Sequence, residues 1–362
     1  MSSVGVGMRR WTLDRVSGGI GNMRKRARLI YNPTSGREAL AHDLVEILGI
    51  FEQAGYETSA FATTPAPNSA ADEARRCAKD GFELIVAAGG DGTINQVVNG
   101  LAGLKRRPKM AIIPAGTTND YARALRIPRN DPVAAAKVVL KNQTVKMDIG
   151  QAGEQYFINI AAGGMLTELT YDVPSQLKSI FGYAAYLAKG AELLPRVKPV
   201  EMDLKYDGGH YQGKASMFFL ALTNSVGGFE QLVPDASLDD GKFTMIIVKT
   251  SNLAKMLHLM TLVLNGGKHI NDPSIIYVKT SKVVAKPADK DRLMINLDGE
   301  YGGDAPMTFR NLKQHIEMFA DTDRIPDEAI TDTDPELEDA ERHFVSAVDQ
   351  LPAATEDDEK TE

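Results

Sequence analysis

Cysteine is almost missing from this chain, whose 362 residues include one cysteine, Cys77, and six scattered histidines. A single thiol excludes an internal disulfide and any zinc site built on several cysteines, and it fits a reducing compartment. The histidines show no spacing typical of metal ligands. Apolar runs are short as well, and none approaches the ~18–20 residues that a membrane-spanning helix needs. We therefore expect a cytoplasmic protein.

The two commonest phosphate-binding motifs are also missing. The pattern G-x-x-x-x-G-K-[ST] occurs nowhere, which disfavours a P-loop nucleotidase. No G-x-G-x-x-G follows the first predicted strand, so the dinucleotide-binding pattern is not present either. If the chain binds a nucleotide, its site must be built from other residues.

Charge is distributed unevenly along the chain. Hydrophobic residues make up 43% and charged residues 25%, which suits a soluble protein of about two domains. The net charge is −7, yet residues 321–362 contain 16 acidic and 3 basic residues. The rest of the chain is therefore mildly basic and favours anionic partners. We expect residues 1–23 to be a disordered extension and residues 326–362 to be an acidic, partly disordered tail.

The first half alternates short apolar runs with helical patterns. These predict strands at residues 28–31, 58–62, 83–88 and 110–114, and helices at 38–54, 70–79, 93–101 and from about 119. Thr93 is placed as the N-cap of the third helix. This rhythm predicts an α/β nucleotide domain over residues 24–146, with a doubly wound parallel sheet and ligands at the carboxyl ends of its strands.

Three turns at those strand ends are rich in glycine and small polar residues. They are Asn32-Pro-Thr-Ser-Gly36, Gly89-Gly-Asp-Gly-Thr93 and Ala115-Gly-Thr-Thr-Asn-Asp120. The positive end of a following helix favours a bound anion, although a ligand-free connection has similar sequence features. Asp91 would repel phosphate unless a divalent cation lay between them. The sequence therefore predicts Mg²⁺ and phosphoryl transfer.

The second half is mainly β. Its patterns predict strands at 157–161, 201–206, 211–217, 243–249, 275–279, 282–286 and 293–297, with a hairpin at Asp207-Gly-Gly209 and an amphipathic helix at 175–194. Residues 311–319 look helical or mixed. We expect a mainly antiparallel β-sandwich over residues 147–306 that binds the substrate, with residues 307–325 returning to the first domain.

Asp298-Gly-Glu300 places two carboxylates around a glycine late in this β half. On its own, this pattern is typical of an ordinary charged β-turn. Beside the glycine-rich turns of the first half, a carboxylate that takes the proton of a substrate hydroxyl is the better interpretation.

Together, these motifs resemble the diacylglycerol kinase catalytic domain, above all the soluble bacterial type found in Gram-positive organisms. This superfamily also contains sphingoid-base and ceramide kinases and, more remotely, NAD kinases and phosphofructokinases. The resemblance extends over residues 24–320. It rests on the second glycine turn with Pro114-Ala-Gly-Thr-Thr-Asn-Asp120, and on Arg24-Lys-Arg-Ala-Arg28, Asn32-Pro-Thr-Ser-Gly36, Asn224-Ser225, Leu232-Val-Pro-Asp-Ala236, Leu238-Asp-Asp-Gly241 and Leu297-Asp-Gly-Glu-Tyr-Gly-Gly303.

The resemblance implies a role for each group of residues. It implies Glu300 as the base that activates the lipid hydroxyl, with Asp298 beside it and Asp91 near the metal. It implies an acidic, water- and magnesium-linked network of Asp120, Asp148 and Asp240 between the domains. It implies a structural magnesium site at Ser237, Asp240 and Lys242, where serine and lysine would serve through their carbonyls. The implied ATP site consists of Asn32, Pro33, Thr34, Ser35, Gly36, Thr63, Gly90, Asp91, Gly92, Thr93, Ile94, Asn95, Gln96 and Thr117.

The leading hypothesis is an ATP- and Mg²⁺-dependent diacylglycerol kinase that makes phosphatidic acid at the inner face of the membrane. Lys178 and Lys189 fall on one face of the predicted 175–194 helix, and with Arg37 they are predicted membrane contacts, although a solvated helix face has the same pattern. A homodimer is a further option, and no nucleic-acid partner is expected. NAD kinases share the glycine–aspartate turn. An NAD kinase, another lipid kinase and a non-catalytic nucleotide- or lipid-binding regulator therefore stay open.

Overall fold

The computed structural model describes residues 24–35, 39–164, 199–225, 232–233, 236–249, 253–264, 267–288 and 292–325. The predicted helix at 175–194 lies outside these ranges, and so do the two predicted terminal segments. Gly36 and the predicted membrane contacts Arg37, Lys178 and Lys189 lie outside them as well.

The first half forms the predicted parallel sheet with helices between its strands. The strands are β1 (Lys25–Tyr31), β2 (Tyr56–Ala62), β3 (Leu84–Gly89) and β4 (Lys109–Pro114). They lie in the order β2-β1-β3-β4, and each neighbouring pair runs parallel. β3 is buried along its whole length, which explains its continuous apolar sequence. The helices are α1 (Ala39–Gln53), α2 (Ser69–Lys79), α3 (Asp91–Leu101), α4 (Asp120–Ala124) and α5 (Pro132–Lys137).

α3 begins earlier than predicted, because Gly90 rather than Thr93 is its N-cap. Gly90 is extended, with φ −82° and ψ 179°, and its carbonyl accepts hydrogen bonds from the N–H groups of Thr93 and Ile94. The prediction for Thr93 is wrong because glycine is itself a favourable N-cap and needs no side chain there. Asp91 and Gly92 therefore lie in the first turn, where backbone N–H groups have no helical partner.

The second half forms the predicted mainly antiparallel β-sandwich. Its strands are β5 (Thr144–Ala152), β6 (Gln155–Phe157), β7 (Ile160–Gly164), β8 (Val200–Tyr206), β9 (Gly209–Ala215), β10 (Met217–Ala221), β11 (Phe243–Val248), β12 (Ile275–Thr280), β13 (Lys282–Pro287), β14 (Met294–Leu297), β15 (Glu300–Asp304) and β16 (Met307–Phe319). One sheet has the order β12-β11-β10-β7-β14-β15, and the other extends the first-half sheet as β4-β16-β13-β8-β9, with β5 beside β16. Between the two sheets, Phe157, Phe218, Phe243 and Phe309 are fully buried.

β16 joins the two halves and corrects the prediction for residues 311–319. That segment is not helical but is part of a 13-residue strand. β16 runs antiparallel to β13 and β5 and then meets β4 in parallel register, with Met318 opposite Met110. A register shift between Leu312 and Ile316, with Gln314 at φ 48°, interrupts the period-two pattern of a strand. The bulge explains why the sequence alone does not indicate a strand here.

α6 (Leu253–Leu264) covers the outer face of the second sheet. Met256 and Leu259 are buried there against Val233 and Ile246. Among the residues that the structure describes, no helix is long and apolar enough to cross a membrane.

Gly100 allows α3 to pack against α2, since a Cβ atom there would lie 2.2 Å from the Ala71 carbonyl oxygen. We expect Gly100→Ala to lower the free energy of unfolding by about 1–3 kcal/mol in urea titrations, because backbone must move to admit the methyl group. Gly49→Ala in α1 is the matched control, since a Cβ atom there meets nothing within 4 Å. It should stabilise the protein by about 0.5–1 kcal/mol. Equal effects of the two substitutions would contradict the tight α2–α3 contact.

Candidate active site

The carboxyl ends of the four parallel strands lie at one edge of the first sheet. The first residue beyond β1, β2 and β4 is still hydrogen-bonded to the neighbouring strand. The bonds are Asn32 N–H to Ala88 O at 3.0 Å, Thr63 N–H to Tyr31 O at 2.8 Å and Ala115 N–H to Gly89 O at 2.9 Å. The three turns singled out in the sequence therefore begin side by side.

Glycine allows two of these turns to touch. A Cβ atom on Gly116 would lie 2.6 Å from the Cα atom of Gly90, so a side chain there would force the β3–α3 and β4–α4 turns apart. Asn119 braces the second turn, because its Oδ1 accepts the Gly116 N–H and its Nδ2 donates to the Gly116 carbonyl, both at 2.8 Å. Asn119 itself has a left-handed φ of 49° at the start of α4.

Asp91, in the first turn of α3, has one oxygen bound and one oxygen unsatisfied. Oδ2 accepts a hydrogen bond from Thr118 Oγ1 at 2.9 Å, whereas Oδ1 is buried and has no hydrogen-bond partner. Burial and the negative charge of Asp120 raise the pKa of Asp91 to about 6. A buried carboxylate oxygen without a partner is costly, and a cation or a water molecule would satisfy it.

Asp120, at the start of α4, connects this edge to the second half of the chain. It is buried, and its Oδ1 accepts a hydrogen bond from Ser225 Oγ at 2.7 Å. Ser225 lies just beyond β10, so the contact joins the β4–α4 turn to the β-sandwich.

Asp298 and Gly299 form the turn between β14 and β15, with positive φ values of 51° and 96° that are typical of a type I′ hairpin. The Asp298 carboxylate accepts four hydrogen bonds, from Asn95 Nδ2 at 2.7 Å and from the N–H groups of Ile158 at 2.7 Å, Asn159 at 2.9 Å and Ile160 at 2.8 Å. Burial raises the pKa of the Asp298 carboxyl, and the four donors oppose that rise. The predicted strand at 157–161 is interrupted in the structure, because β6 ends at Phe157 and β7 begins at Ile160. The consecutive N–H groups of residues 158–160 bind the Asp298 carboxylate at this break.

α3 carries the contacts that hold the second half against this edge. Asn95 donates to Asp298. One turn later, Asn99 binds the backbone of Tyr156: its Nδ2 donates to the carbonyl and its Oδ1 accepts the N–H, each at 2.9 Å. The family resemblance implies a nucleotide contact for Asn95 and gives no role to Asn99. The signal was a pair of asparagines at i and i+4, which share one face of a helix.

Glu300 lies on the other side of Gly299 at the start of β15, opposite Leu297. Its side chain is exposed and makes no hydrogen bond or ion pair with the described residues. The two carboxylates of the turn therefore have different surroundings. The acceptors of Asp298 are occupied, whereas the Glu300 carboxylate is open to a ligand.

Asp148 in β5 ties together two segments of the second half. Its carboxylate accepts the Gly241 N–H at 2.6 Å and the Gln314 N–H at 2.7 Å, which joins a loop before β11 to the bulge in β16. Burial raises the pKa of Asp148. Close to Asp148, the Tyr121 hydroxyl is buried without a hydrogen-bond partner.

The predicted structural magnesium site falls in the loop before β11. Asp240 Oδ1 accepts the Lys242 N–H at 2.8 Å, and Ser237 Oγ donates to Asp239 at 3.4 Å. Within the described ranges, no three His, Cys, Asp or Glu side chains are grouped to hold a metal ion. The metal roles of Ser237, Asp240 and Lys242 stay predictions.

The described members of the predicted ATP site lie in the strand-end turns and the first turns of α3. Asn32 Oδ1 accepts hydrogen bonds from Thr34 N–H at 3.0 Å and Thr34 Oγ1 at 2.9 Å, which shapes the turn after β1. Gln96 Oε1 instead accepts the Ala70 N–H of α2 at 3.3 Å. Ile94 is fully buried, so its side chain does not line the edge. The other described members are Pro33, Ser35, Thr63, Gly90, Asp91, Gly92, Thr93, Asn95 and Thr117.

Two family models match most of the chain. The diacylglycerol kinase catalytic domain matches residues 26–152, and the YegS C-terminal NAD kinase beta sandwich-like domain matches residues 169–320. A diacylglycerol kinase of Bacillus subtilis strain 168 is 54% identical over 294 residues, which cover 81% of this chain and 96% of that protein. A diacylglycerol kinase of Staphylococcus aureus strain bovine RF122 is 50% identical over 310 residues, which cover 85% and 96%.

Solved structures share the fold. The crystal structure of a protein from Bacillus anthracis strain Sterne matches with a TM-score of 0.70 at 25% identity. The match covers 82% of this chain and 96% of that chain. A crystal structure of a diacylglycerol kinase from the same strain matches with a TM-score of 0.64 at 23% identity and covers 83% and 98%. With relatives about half identical over nearly their whole length, this chain is a kinase that belongs to the diacylglycerol kinase family.

Proposed function

We propose that this kinase transfers the γ-phosphoryl group of ATP to the free hydroxyl of diacylglycerol and so makes phosphatidic acid at the cytoplasmic face of a membrane. The observation that carries the proposal is the hydrogen bond from Asn95 to Asp298. It attaches the carboxylate turn of the β-sandwich to α3, the helix that begins in the glycine-rich turn of the α/β half. A kinase needs these two elements together, one for the phosphates and one for the attacking hydroxyl.

The nucleotide phosphates would lie at the start of α3. Backbone N–H groups of the first helical turn and the positive end of the helix dipole favour a negative group there. Gly90, Gly92 and Gly116 keep side chains away from this position, and Asn32 and Thr63 lie at the ends of the adjoining strands. This arrangement supports the assignment of the strand-end residues to ATP.

Asp91 fits a magnesium ion that is shared with the nucleotide. Its buried Oδ1 has no partner, and Mg²⁺ is commonly held by one or two carboxylates together with substrate phosphates. When bound, the ion would neutralise part of the charge on those phosphates. Two neighbours act on the Asp91 carboxylate. The negative charge of Asp120 raises its pKa, and the Thr118 hydroxyl donates a hydrogen bond to its Oδ2.

Glu300 would act as the general base. In the proposed step, its carboxylate accepts the proton of the lipid hydroxyl while that oxygen bonds to the γ-phosphorus and the bond to the departing ADP oxygen breaks. Asp298 would be a positioning residue, because its acceptors are already occupied by four donors. Those bonds fix the hairpin turn from which Glu300 projects.

The remaining assignments belong to the same proposal. Asp120, Asp148 and Asp240 would form a water- and magnesium-linked network, and the buried, unpartnered Tyr121 hydroxyl close to Asp148 supports bound water there. A mildly basic body suits reversible docking on an anionic lipid surface. Arg37, Lys178 and Lys189 are the proposed membrane contacts, and a homodimer is proposed as well.

An acceptor panel with labelled ATP tests the proposal. We expect the purified chain with Mg²⁺ to phosphorylate dispersed diacylglycerol, because the exposed Glu300 carboxylate has no partner among the described residues and can take the proton of a hydroxyl. Sphingosine, ceramide and NAD should be much poorer acceptors in the same assay. Rapid formation of NADP without phosphatidic acid would move the assignment to an NAD kinase. Labelled sphingoid base as the main product would identify a different lipid kinase.

Glu300→Gln tests the proposed base. The substitution keeps the size of the side chain but removes the charge that accepts a proton, so kcat should fall about 10²–10⁴-fold. Binding of a fluorescent ATP analogue should be retained, since Glu300 is not part of the strand-end turns. Glu154→Gln, an exposed glutamate in the β5–β6 turn, is the matched control and should keep the parent kcat. Parent-like turnover of Glu300→Gln would remove this residue from the mechanism.

Asp91→Asn tests the buried charge in the metal-free protein. The pKa of Asp91 is about 6 in the folded state against an ordinary value of 3.8, so the stability that it costs the fold is lost progressively from about pH 4 to 6 and is lost in full above about pH 6. We expect Asp91→Asn to raise the free energy of unfolding at pH 7.5 by about 1–3 kcal/mol in urea titrations with EDTA.

That gain should shrink as the pH falls through 6 toward 4, where the parent carboxyl is protonated. Asp72→Asn on the exposed face of α2 is the control and should give no such gain. If Asp91→Asn destabilised the protein both at pH 7.5 and near pH 4, the Asp91 carboxylate oxygen would already be satisfied within the fold.

A further inference from the structure

A charged cavity lies in the first half, between the end of α4 with the segment that follows it and the chain just beyond β16. Its volume is about 370 Å³, within the range of small-molecule sites. Four guanidinium groups and one carboxylate line it, so positive charge is in excess. The lining residues are Arg123, Arg126, Ile127, Pro128, Arg129, Asn130, Asp131 and Arg324.

Arg126 occupies a position that ordinarily favours glycine. It follows the C-cap of α4 with a left-handed φ of 54°, and its N–H donates to Arg123 O at 3.0 Å while the Ile127 N–H donates to Ala122 O at 2.9 Å. Glycine is usual in such a helix end because a side chain there costs free energy. Arginine at this position places a guanidinium group at the cavity. Residues with strained backbone angles of this kind concentrate at ligand-binding sites.

Two carboxylates near the cavity, those of Asp131 and Asp321, also bind groups that do not line it. Asp131 Oδ1 accepts the Ala134 N–H at 2.8 Å as the N-cap of α5. Asp321 pairs with Lys141 at 2.6 Å and lies 3.4 Å from Arg324. The arginines of the 123–129 segment have other contacts too, but each guanidinium carries five N–H donors and can bind more than one partner.

We propose that this cavity binds a phosphate monoester. Its dianionic group offers three terminal oxygens to the planar forks of several arginines, which match phosphate in two-point contacts. The cavity is larger than a phosphate ion and has room for an attached glycerol-sized group. Arg123 connects one wall to the candidate active site, since its Nε donates to Thr118 O at 3.1 Å. The ligand is either a soluble phosphate ester or the headgroup of a phosphatidic acid.

Calorimetric titration of the full chain tests this site, with glycerol 3-phosphate in one arm and dihexanoyl phosphatidic acid in the other. We expect saturable binding in at least one arm. Binding of both would identify the phosphate ester itself as the recognised group, and binding of the lipid alone would identify a headgroup site. Arg126→Gly should weaken that binding at least tenfold. It should also unfold at a higher temperature than the parent, because glycine adopts the left-handed conformation without strain.

Arg129→Gln should weaken binding independently, and Arg106→Gln, an exposed arginine outside the cavity, should bind as the parent does. The comparison also separates this cavity from the strand-end turns, because neither Arg126 nor Arg129 lies there. Absence of binding in both arms would overturn the proposal. Unchanged affinity in Arg126→Gly and Arg129→Gln would overturn it as well, since the phosphate would then lie elsewhere.

Discussion

Four hydrogen bonds to one carboxylate, that of Asp298, hold the candidate site together. Three donors are the consecutive N–H groups of residues 158–160, and the fourth is the side chain of Asn95 in α3. A carboxylate has about four acceptor positions, so this one is fully occupied. The bonds end one strand, begin the next and attach a hairpin turn to a helix of the other half. Removal of the carboxylate would leave several donors unsatisfied at once, which costs more than the loss of any single bond.

Asp91 shows the opposite arrangement of the same chemical group. Both carboxylates are withdrawn from water, and burial raises both pKa values. The four donors of Asp298 offset part of that cost, whereas Oδ1 of Asp91 has no partner. Charges that are buried without compensation concentrate at functional sites, where a ligand supplies what the fold lacks. The contrast separates a carboxylate that organises the site from one that is available to react or to bind.

The sequence predicted the parts of this structure that depend on short-range patterns. The parallel sheet and the glycine turns are encoded within a few neighbouring residues, and motif resemblance identified the family. Predictions failed where a distant partner decides the local conformation. The break between β6 and β7 depends on Asp298, more than 130 residues away, and the bulge of β16 hides its alternation. The different surroundings of Asp298 and Glu300 could not be read from a motif that presents them as equivalent neighbours of one glycine.

β16 explains how groups from two halves of the chain keep a fixed arrangement. Independent domains usually move relative to one another unless their interface is extensive. Here, one strand pairs with β13 and β5 of the second half and with β4 of the first, so a continuous sheet rather than a flexible linker connects them. Because the sheet already aligns these elements, the hydrogen bonds of Asn95, Asn99 and Ser225 can form between the two halves. The sheet aligns the two halves, and these few polar side chains attach α3 and the β4–α4 turn directly to the β-sandwich.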